Sequence, residues 1–358
     1  MSQAASSIGM TANGEHESKS LPQVEAQRKP ERRLSASICP KEPSKDQRQI
    51  LTLVDQLAPD LNGYPVLLIQ NGRCPHGRMC DRVLHDLRND LRVNTNRGDR
   101  CTVILHSYGG YGGAAYRLAR FLQRHCGAYN VIVPSMAKSA GTLFALGAET
   151  IVLGADAELG PLDAQIEDLE REENISALEV VQCVERLNQE AMTAVDSQMI
   201  LWKRRSGKKI ESLMPVVTKF VADMMRPMFE KIDVVHFTGM ARILKVAEDY
   251  ALRLLLTNYS PADASDIAFR LTSAYSDHDF AIDMDECESM GLEVESPGEK
   301  IREKIAALAR LLDSGKGGTM IGRLIEECDD AKDGNSEDSP TSAHSCRTSG
   351  SRCRLGPA

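Results

Sequence analysis

The chain has 358 residues, 42% of them apolar, and a formal net charge of -8. That balance disfavours nucleic acid as a partner. No apolar run approaches the roughly 18–20 residues of a membrane span, and the first 45 residues lack the apolar stretch of a secretory signal. The ten cysteines are scattered and read as reduced thiols, so a cytoplasmic protein is expected.

Residues 1–45 and 314–358 are polar and rich in Ser, Lys, Glu and Asp; both are expected to be disordered tails, apart from a short helix over 320–328. Helical spacing covers 50–57. Residues 64–69 (Tyr-Pro-Val-Leu-Leu-Ile) read as a buried strand, with Pro65 tolerated near its start. The next segment, Cys74-Pro-His-Gly-Arg-Met-Cys80 with His85 beyond, reads as a loop with incidental cysteines; the alternative is a zinc or redox site, though the spacing is not that of a finger or ribbon. A helix follows over 80–93. The pattern then alternates: strand 102–105, a glycine-rich turn, helix 114–124, strand 129–133, helix 140–148, strand 150–153. Short apolar strands alternating with helices predict a parallel sheet covered by helices, an α/β fold.

Beyond residue 165 the pattern changes. From 169 to 256 there is no strong strand signal, and apolar spacing gives three helices, the second split by Pro215 and Pro227. Residues 257–313 return to mixed structure, with helices over 263–271 and 301–312. The expected organisation is therefore a tail (1–45), an α/β core (46–168), a mostly helical region (169–256), a module completing the core (257–313) and a second tail (314–358).

The chemistry concentrates at two strand-to-helix junctions. In Pro134-Ser-Met-Ala-Lys-Ser-Ala-Gly-Thr142, Ser139 sits where a helix begins, flanked by small residues. Such a serine either caps the helix or presents a nucleophilic hydroxyl where backbone N–H groups favour negative charge. In His106-Ser-Tyr-Gly-Gly-Tyr-Gly-Gly113, glycine permits a tight turn that brings backbone close to a substrate. Gly110 N–H and Ala140 N–H are the candidate oxyanion donors. The glycine turn could also cradle phosphate, but it lacks the spacing of a dinucleotide fingerprint and the Gly-Lys-Ser/Thr ending of an ATP-binding loop.

Several pieces of the chain resemble one family. They are His106-Ser-Tyr-Gly-Gly110, Ala137-Lys-Ser-Ala-Gly-Thr-Leu-Phe-Ala-Leu-Gly-Ala148, Glu149-Thr-Ile-Val-Leu-Gly-Ala-Asp156, Leu159-Gly-Pro-Leu-Asp-Ala-Gln165, Ser273-Ala-Tyr-Ser-Asp-His-Asp-Phe280 and Met290-Gly-Leu-Glu-Val294. In this order they resemble the serine dehydrogenase proteinases, ClpP-like serine peptidases of the crotonase fold related to signal peptide peptidase A. The resemblance implies a ClpP/crotonase-like spiral of β-β-α units with a helical insertion and disordered termini. It also implies Ser139 as nucleophile, Gly110 and Ala140 as oxyanion hole, and a homo-oligomer acting on protein or peptide substrates without metal or organic cofactor. Gly109, Tyr108, Tyr111, Pro161 and Asp163 are expected to border the substrate.

Three features depart from the family pattern. Its Ser/Thr-Pro-Gly-Gly loop is Ser107-Tyr-Gly-Gly110 here. No histidine lies about 25 residues beyond Ser139, where the ClpP branch has its base. No lysine occurs between 165 and 202, where the signal peptide peptidase branch would look for one. A serine hydroxyl is a weak nucleophile until a base takes its proton. The bases considered are Lys203, which follows Trp202 at the head of a basic run, and His278, which lies between Asp277 and Asp279 and could be oriented by either. His106 and His236 are weaker candidates. The expected function is a serine endopeptidase of Ser–Lys or Ser–His type. The rival is a ClpP-like scaffold or interaction protein that kept the fold and lost the base. An acyl-CoA enzyme sharing the oxyanion hole is a further alternative that would not need Ser139.

Overall fold

The computed structural model describes residues 32–34, 43–72, 76–168 and 173–326, all within the compact unit Arg32–Glu327. Four parallel strands form its centre: β2 (Tyr64–Ile69), β3 (Cys101–His106), β4 (Tyr129–Val133) and β6 (Thr150–Leu153). Their residues are almost wholly buried, as the continuous apolar runs imply for strands covered on both faces. Two further strands extend the sheet beyond β2. Met320–Glu326, the last strand β10, pairs antiparallel with β2 and with β1 (Arg32–Leu34), giving the order β1-β10-β2-β3-β4-β6.

Helices cover each face. One core packs Val66, Leu68, Val103, Leu105, Val131 and Val133 against α2 (Asp81–Asn94), α3 (Gly112–His125) and α4 (Ala140–Ala145). The other packs Leu67, Ile69, Ile104 and Ile132 against α1 (Lys45–Leu57) and α10 (Glu299–Asp313). The alternation of these residues follows the two-residue period of a strand. Helix α1 begins with a full capping box between Ser44 and Gln47, which satisfies two of its orphan donors.

A second, smaller layer of pairing positions the site. Past the end of β3, Ser107 pairs in parallel with Ala137 of β5 (Met136–Ala137); β5 pairs with β7 (Glu158–Leu159), and Leu159 pairs with Ile282. Strands β4 and β6 thus each continue into a short strand of another sheet, and the β4–β5–α4 stretch is one β-β-α unit.

The helical region is as expected in kind: α5 (Ala177–Ser206), α6 (Ile210–Phe229) and α7 (Val234–Leu255). Leu254 and Leu255, near the end of α7, are fully buried in the core on the α3 side. Helices α8 (Pro261–Ser273) and α9 (Met284–Met290) follow before α10. No helix among the described residues is long and apolar enough to cross a membrane.

Four expectations are corrected. Residues 320–326 are the strand β10, not a helix, because Ile321 and Met320 are buried against the sheet. Arg32–Leu34 and Met320–Glu326 are ordered strands inside segments expected to be tails; residues 1–31, 35–42 and 327–358 of those tails lie outside the described residues. The segment after residue 165 opens with a hairpin of β8 (Gln165–Asp168) and β9 (Glu173–Ser176). Helix α6 runs unbroken through Pro215 and Pro227. Each proline forgoes one intrahelical N–H bond, and both lie within two turns of a helix end.

Leu254→Ala should lower stability by about 2–5 kcal/mol, the cost of truncating a fully buried leucine in a core that relaxes incompletely. Urea unfolding monitored by circular dichroism measures this; a loss near zero would mean that α7 does not anchor the helical region to the core.

Candidate active site

Ser139 is the sole non-glycine residue with positive φ among those described, at φ 48 and ψ -112. For a residue with a Cβ this backbone conformation costs on the order of 1–3 kcal/mol. Ser139 occupies the N-cap position of α4, yet its side chain makes no capping hydrogen bond. The hydroxyl is not spent on the helix, which removes the capping alternative.

The neighbours over-determine this turn. Thr142 Oγ1, fully buried, lies 2.6 Å from Ala137 O and 2.8 Å from Gly160 O, and accepts from Gly160 N–H at 3.0 Å. Lys138 turns away from Ser139: its Nζ pairs with Glu158 at 2.7 Å, and its stem lies over Gly160, where an added Cβ would sit 2.7 Å from Lys138 Cδ.

The glycine loop is fixed against this turn. Ser107 N–H donates to Met136 O and Ser107 O accepts from Lys138 N–H, at 3.2 and 2.9 Å. The buried Ser107 hydroxyl donates to Gln70 Oε1 at 2.7 Å and accepts from Gly109 N–H at 3.1 Å. Gly109, at φ +100, has no room for a side chain: a Cβ would stand 3.0 Å from both Ser139 Cβ and Lys138 O, and 3.5 Å from Ala140 N. Gly110 pairs with Met79 through its neighbours, since Met79 N–H donates to Gly109 O and Tyr111 N–H to Met79 O, both at 2.8 Å. In parallel pairing of this kind the intervening residue's own N–H faces the other way. Neither Gly110 N–H nor Ala140 N–H donates to a backbone acceptor among the described residues. Ala140 N–H is one of the orphan donors of a helix start.

Tyr108 and Tyr111 are exposed beside this loop, Tyr108 edge-on to His106 at 5.8 Å. Pro161 and Asp163 are buried just beyond Gly160. Asp163 Oδ1 accepts from Leu178 N–H at 3.2 Å, tying the strand-to-helix crossover to the start of α5. His278 faces Asp163, not the expected Asp277 or Asp279; Asp277 instead accepts from Asp279 N–H at 2.9 Å. The His278 Nδ1 to Asp163 Oδ2 separation of 4.0 Å is too long for a hydrogen bond, and Nδ1 is buried without a partner. Together they line a cleft of about 120 Å³. No histidine or lysine among the described residues hydrogen-bonds Ser139. Lys203 is exposed on the last turn of α5, roughly 40 Å of helix from its start. His236 is exposed on the first turn of α7. Of the cysteine cluster, Cys74 lies outside the described residues, and Cys80 is half-buried ahead of α2. No group of three or more metal-binding side chains is placed to hold an ion among the described residues.

The sequence pattern defining the ClpP-like SDH-type serine proteinases matches residues 83–238. This stretch of the chain is similar to that family. The matched stretch contains Gly110, Ser139, Ala140 and Asp163 but ends before His278. Two uncharacterized proteins of Methanocaldococcus jannaschii are similar: one is 25% identical over 209 residues, 58% of this chain and 57% of the relative. The other is 24% identical over 192 residues, 54% of this chain and 51% of the relative. The chain thus spans little more than half the length of these relatives. Among solved structures, two mutant forms of the 1510-N membrane-bound stomatin-specific protease are similar, one of them in complex with a substrate peptide. They are 16% and 18% identical, cover 40% and 39% of this chain and 66% and 59% of their own, and give TM-scores of 0.24 and 0.23.

His106 lies on the α10 face of the sheet, 3% exposed, with Nδ1 unpartnered. Burial lowers its pKa from 6.5 to about 4, partly offset by the carboxylate of Asp313, which is itself bonded by Ser135 Oγ. The unfolded chain then takes up a proton near pH 6.5 that the folded chain resists until about pH 4. Stability from this group is present above 6.5 and is lost as pH falls toward 4, on the order of 3 kcal/mol in all. Urea unfolding at several pH values should show a shallower acid decline for His106→Gln than for the wild type. Parallel declines would mean that His106 is not the buried neutral base of this fold.

Proposed function

We propose that this protein is a serine peptidase that cleaves peptide bonds through an acyl-enzyme on Ser139. The observation that carries the reading is an uncapped, strained Ser139 in contact with Gly109 of the glycine loop, together with two nearby loop and helix-start N–H groups, Gly110 and Ala140, that no backbone acceptor among the described residues uses. A base takes the Ser139 proton as Oγ attacks the scissile carbonyl. The two N–H groups hold the resulting oxyanion, the amine leaves with a proton from the base, and water repeats the sequence on the ester. An extended peptide lies beside the β5 strand and the glycine loop, with Tyr108 and Tyr111 against its side chains.

For the base we favour His278, with Asp163 as its orienting carboxylate. Its buried, unpartnered Nδ1 faces Asp163, and the segment that follows it returns to the site: Phe280 O lies 3.4 Å from Lys138 Nζ, and Ile282 pairs with Leu159. Closure of the 4.0 Å gap would give the His–carboxylate hydrogen bond that fixes a tautomer. Lys203, exposed in a single chain, would serve only if a second copy desolvated it. A homo-oligomer is supported by the row Val216, Phe220, Met224 and Met228 on α6, each 46–50% exposed. A single copy leaves this apolar stripe in water. The free thiols of Cys80, Cys101, Cys126, Cys183 and Cys287 support a cytoplasmic setting.

The second reading is a scaffold that lost catalysis, favoured by the missing hydrogen bond between Ser139 and any base. Hydrolysis of a quenched peptide library by the purified oligomer separates the two. Ser139→Ala should abolish turnover, His278→Ala should lower kcat by about 10²–10⁴-fold, and Lys203→Ala should match the wild type. Absence of turnover from pH 5 to 9 supports the scaffold, and a loss confined to Lys203→Ala transfers the base to the lysine.

A further inference from the structure

Away from Ser139 the molecule gathers positive charge that no catalytic role uses. Helix α3 presents Arg117, Arg120 and Arg124 at helical spacing and contains no acidic residue. Helix α2 contributes Arg88 and Arg92, one turn apart, and the connection to β3 adds Arg97. These six arginines line one cavity of about 420 Å³, together with Tyr116, Phe121 and His125. Its floor is aromatic. The guanidinium carbons of Arg88 and Arg92 lie 5.4 and 5.7 Å from the centre of the Phe121 ring, and His125 stacks on that ring at 5.2 Å. Tyr116 is held by stacking on Tyr250 at 4.3 Å.

Most of this charge is not neutralised. Arg117 pairs with Asp81, and Arg120 donates to Gln123 Oε1 at 2.7 Å. Arg88, Arg92, Arg97 and Arg124 make no ion pair among the described residues, and Arg88 Nε is buried without a hydrogen-bond partner. Cations in the last turn of a helix gain about 0.3–1 kcal/mol from its dipole. That accounts for Arg92 and Arg124, but not for Arg88, Arg117 or Arg120. In a chain of net charge -8, such a concentration on two adjacent helices makes a local positive field that attracts anions.

We propose that this cavity binds a small, soluble anion carrying two or more phosphoryl groups. Planar guanidinium forks match phosphate oxygens two at a time. Four unpaired arginines exceed what one phosphate engages and match the charge of a di- or triphosphate. The cavity volume lies within the range of small-molecule pockets, and Phe121 and Tyr116 leave an apolar surface for an organic group esterified to the phosphates. The site is distinct from the candidate active site. Arg92, Arg97 and Arg124 precede the starts of β3 and β4, whereas Gly110 and Ser139 follow the ends of these strands.

The test is calorimetric titration of the full chain with sodium tripolyphosphate and, separately, ATP, at about 150 mM ionic strength to suppress diffuse attraction. One-to-one binding of either probe with a Kd on the order of 1–100 µM is expected. Arg92→Ala/Arg124→Ala should weaken it at least about tenfold, and Arg92→Lys/Arg124→Lys, which keeps the charge and the fold but loses the fork, by an intermediate factor. Arg226→Ala, on α6 and paired with Asp223, should leave it unchanged. The proposal is overturned by failure of both probes to saturate, by saturable binding of an oligoribonucleotide or of phosphoinositide vesicles alone, or by affinity that survives both double variants.

Discussion

The pairing of Ser107 with Ala137 is the constraint on which the site depends. Strands β3 and β4 are neighbours in the parallel sheet, and their ends would ordinarily diverge into separate loops. Two backbone hydrogen bonds, through Ser107 N–H and Ser107 O, join the chain leaving β3 to the short strand after β4. The glycine loop is thereby laid against the turn at Ser139, closely enough that Gly109 has space for hydrogen alone. The Ser107 side chain adds a second tie by bridging Gln70 and Gly109 N–H. Two segments some thirty residues apart in sequence become one wall.

The Ser139 backbone is the strained part of that wall, at about 1–3 kcal/mol. Buried hydrogen bonds contribute about 0.5–1.5 kcal/mol each, so the Thr142 and Ser107 side-chain bonds are together of the magnitude needed to hold it. Their cost if broken is larger than their net gain, because buried donors such as Gly160 N–H would be left without water. Strain held this way keeps the hydroxyl off the helix N-terminus and leaves Ala140 N–H unused. The same arrangement that denies Ser139 a capping role supports its proposed chemical one.

The parallel core was legible because its strands are buried on both faces. Residues 64–69, 102–105 and 129–133 read as largely apolar runs bounded by turn residues, and the two junctions that follow β3 and β4 were marked by glycine and small residues. The outer strands were not legible. β10 finds its partner β2 some 250 residues earlier in the chain, and nothing local to Met320-Ile-Gly-Arg-Leu-Ile-Glu326 separates a strand from a terminal helix. Pro215 and Pro227 suggested breaks that the nearby ends of α6 made unnecessary. At the site, the sequence singled out Ser139, Gly110 and Ala140, but not Thr142 and Ser107 as the residues that hold them. It named His278 with Asp277 and Asp279 beside it, but not Asp163, which lies more than a hundred residues away in sequence and comes within 4.0 Å of His278 only through the fold. The arginine cavity was hidden by the acidic balance of the whole chain, which masked a local cluster on one helix face and the next.

Whether Ser139 is an activated nucleophile is decided most directly by intact-mass analysis after treatment with a fluorophosphonate. The account predicts a single adduct on the folded wild-type protein that is absent from Ser139→Ala. Absence of any adduct on the folded protein, or an adduct that persists in Ser139→Ala, would contradict it.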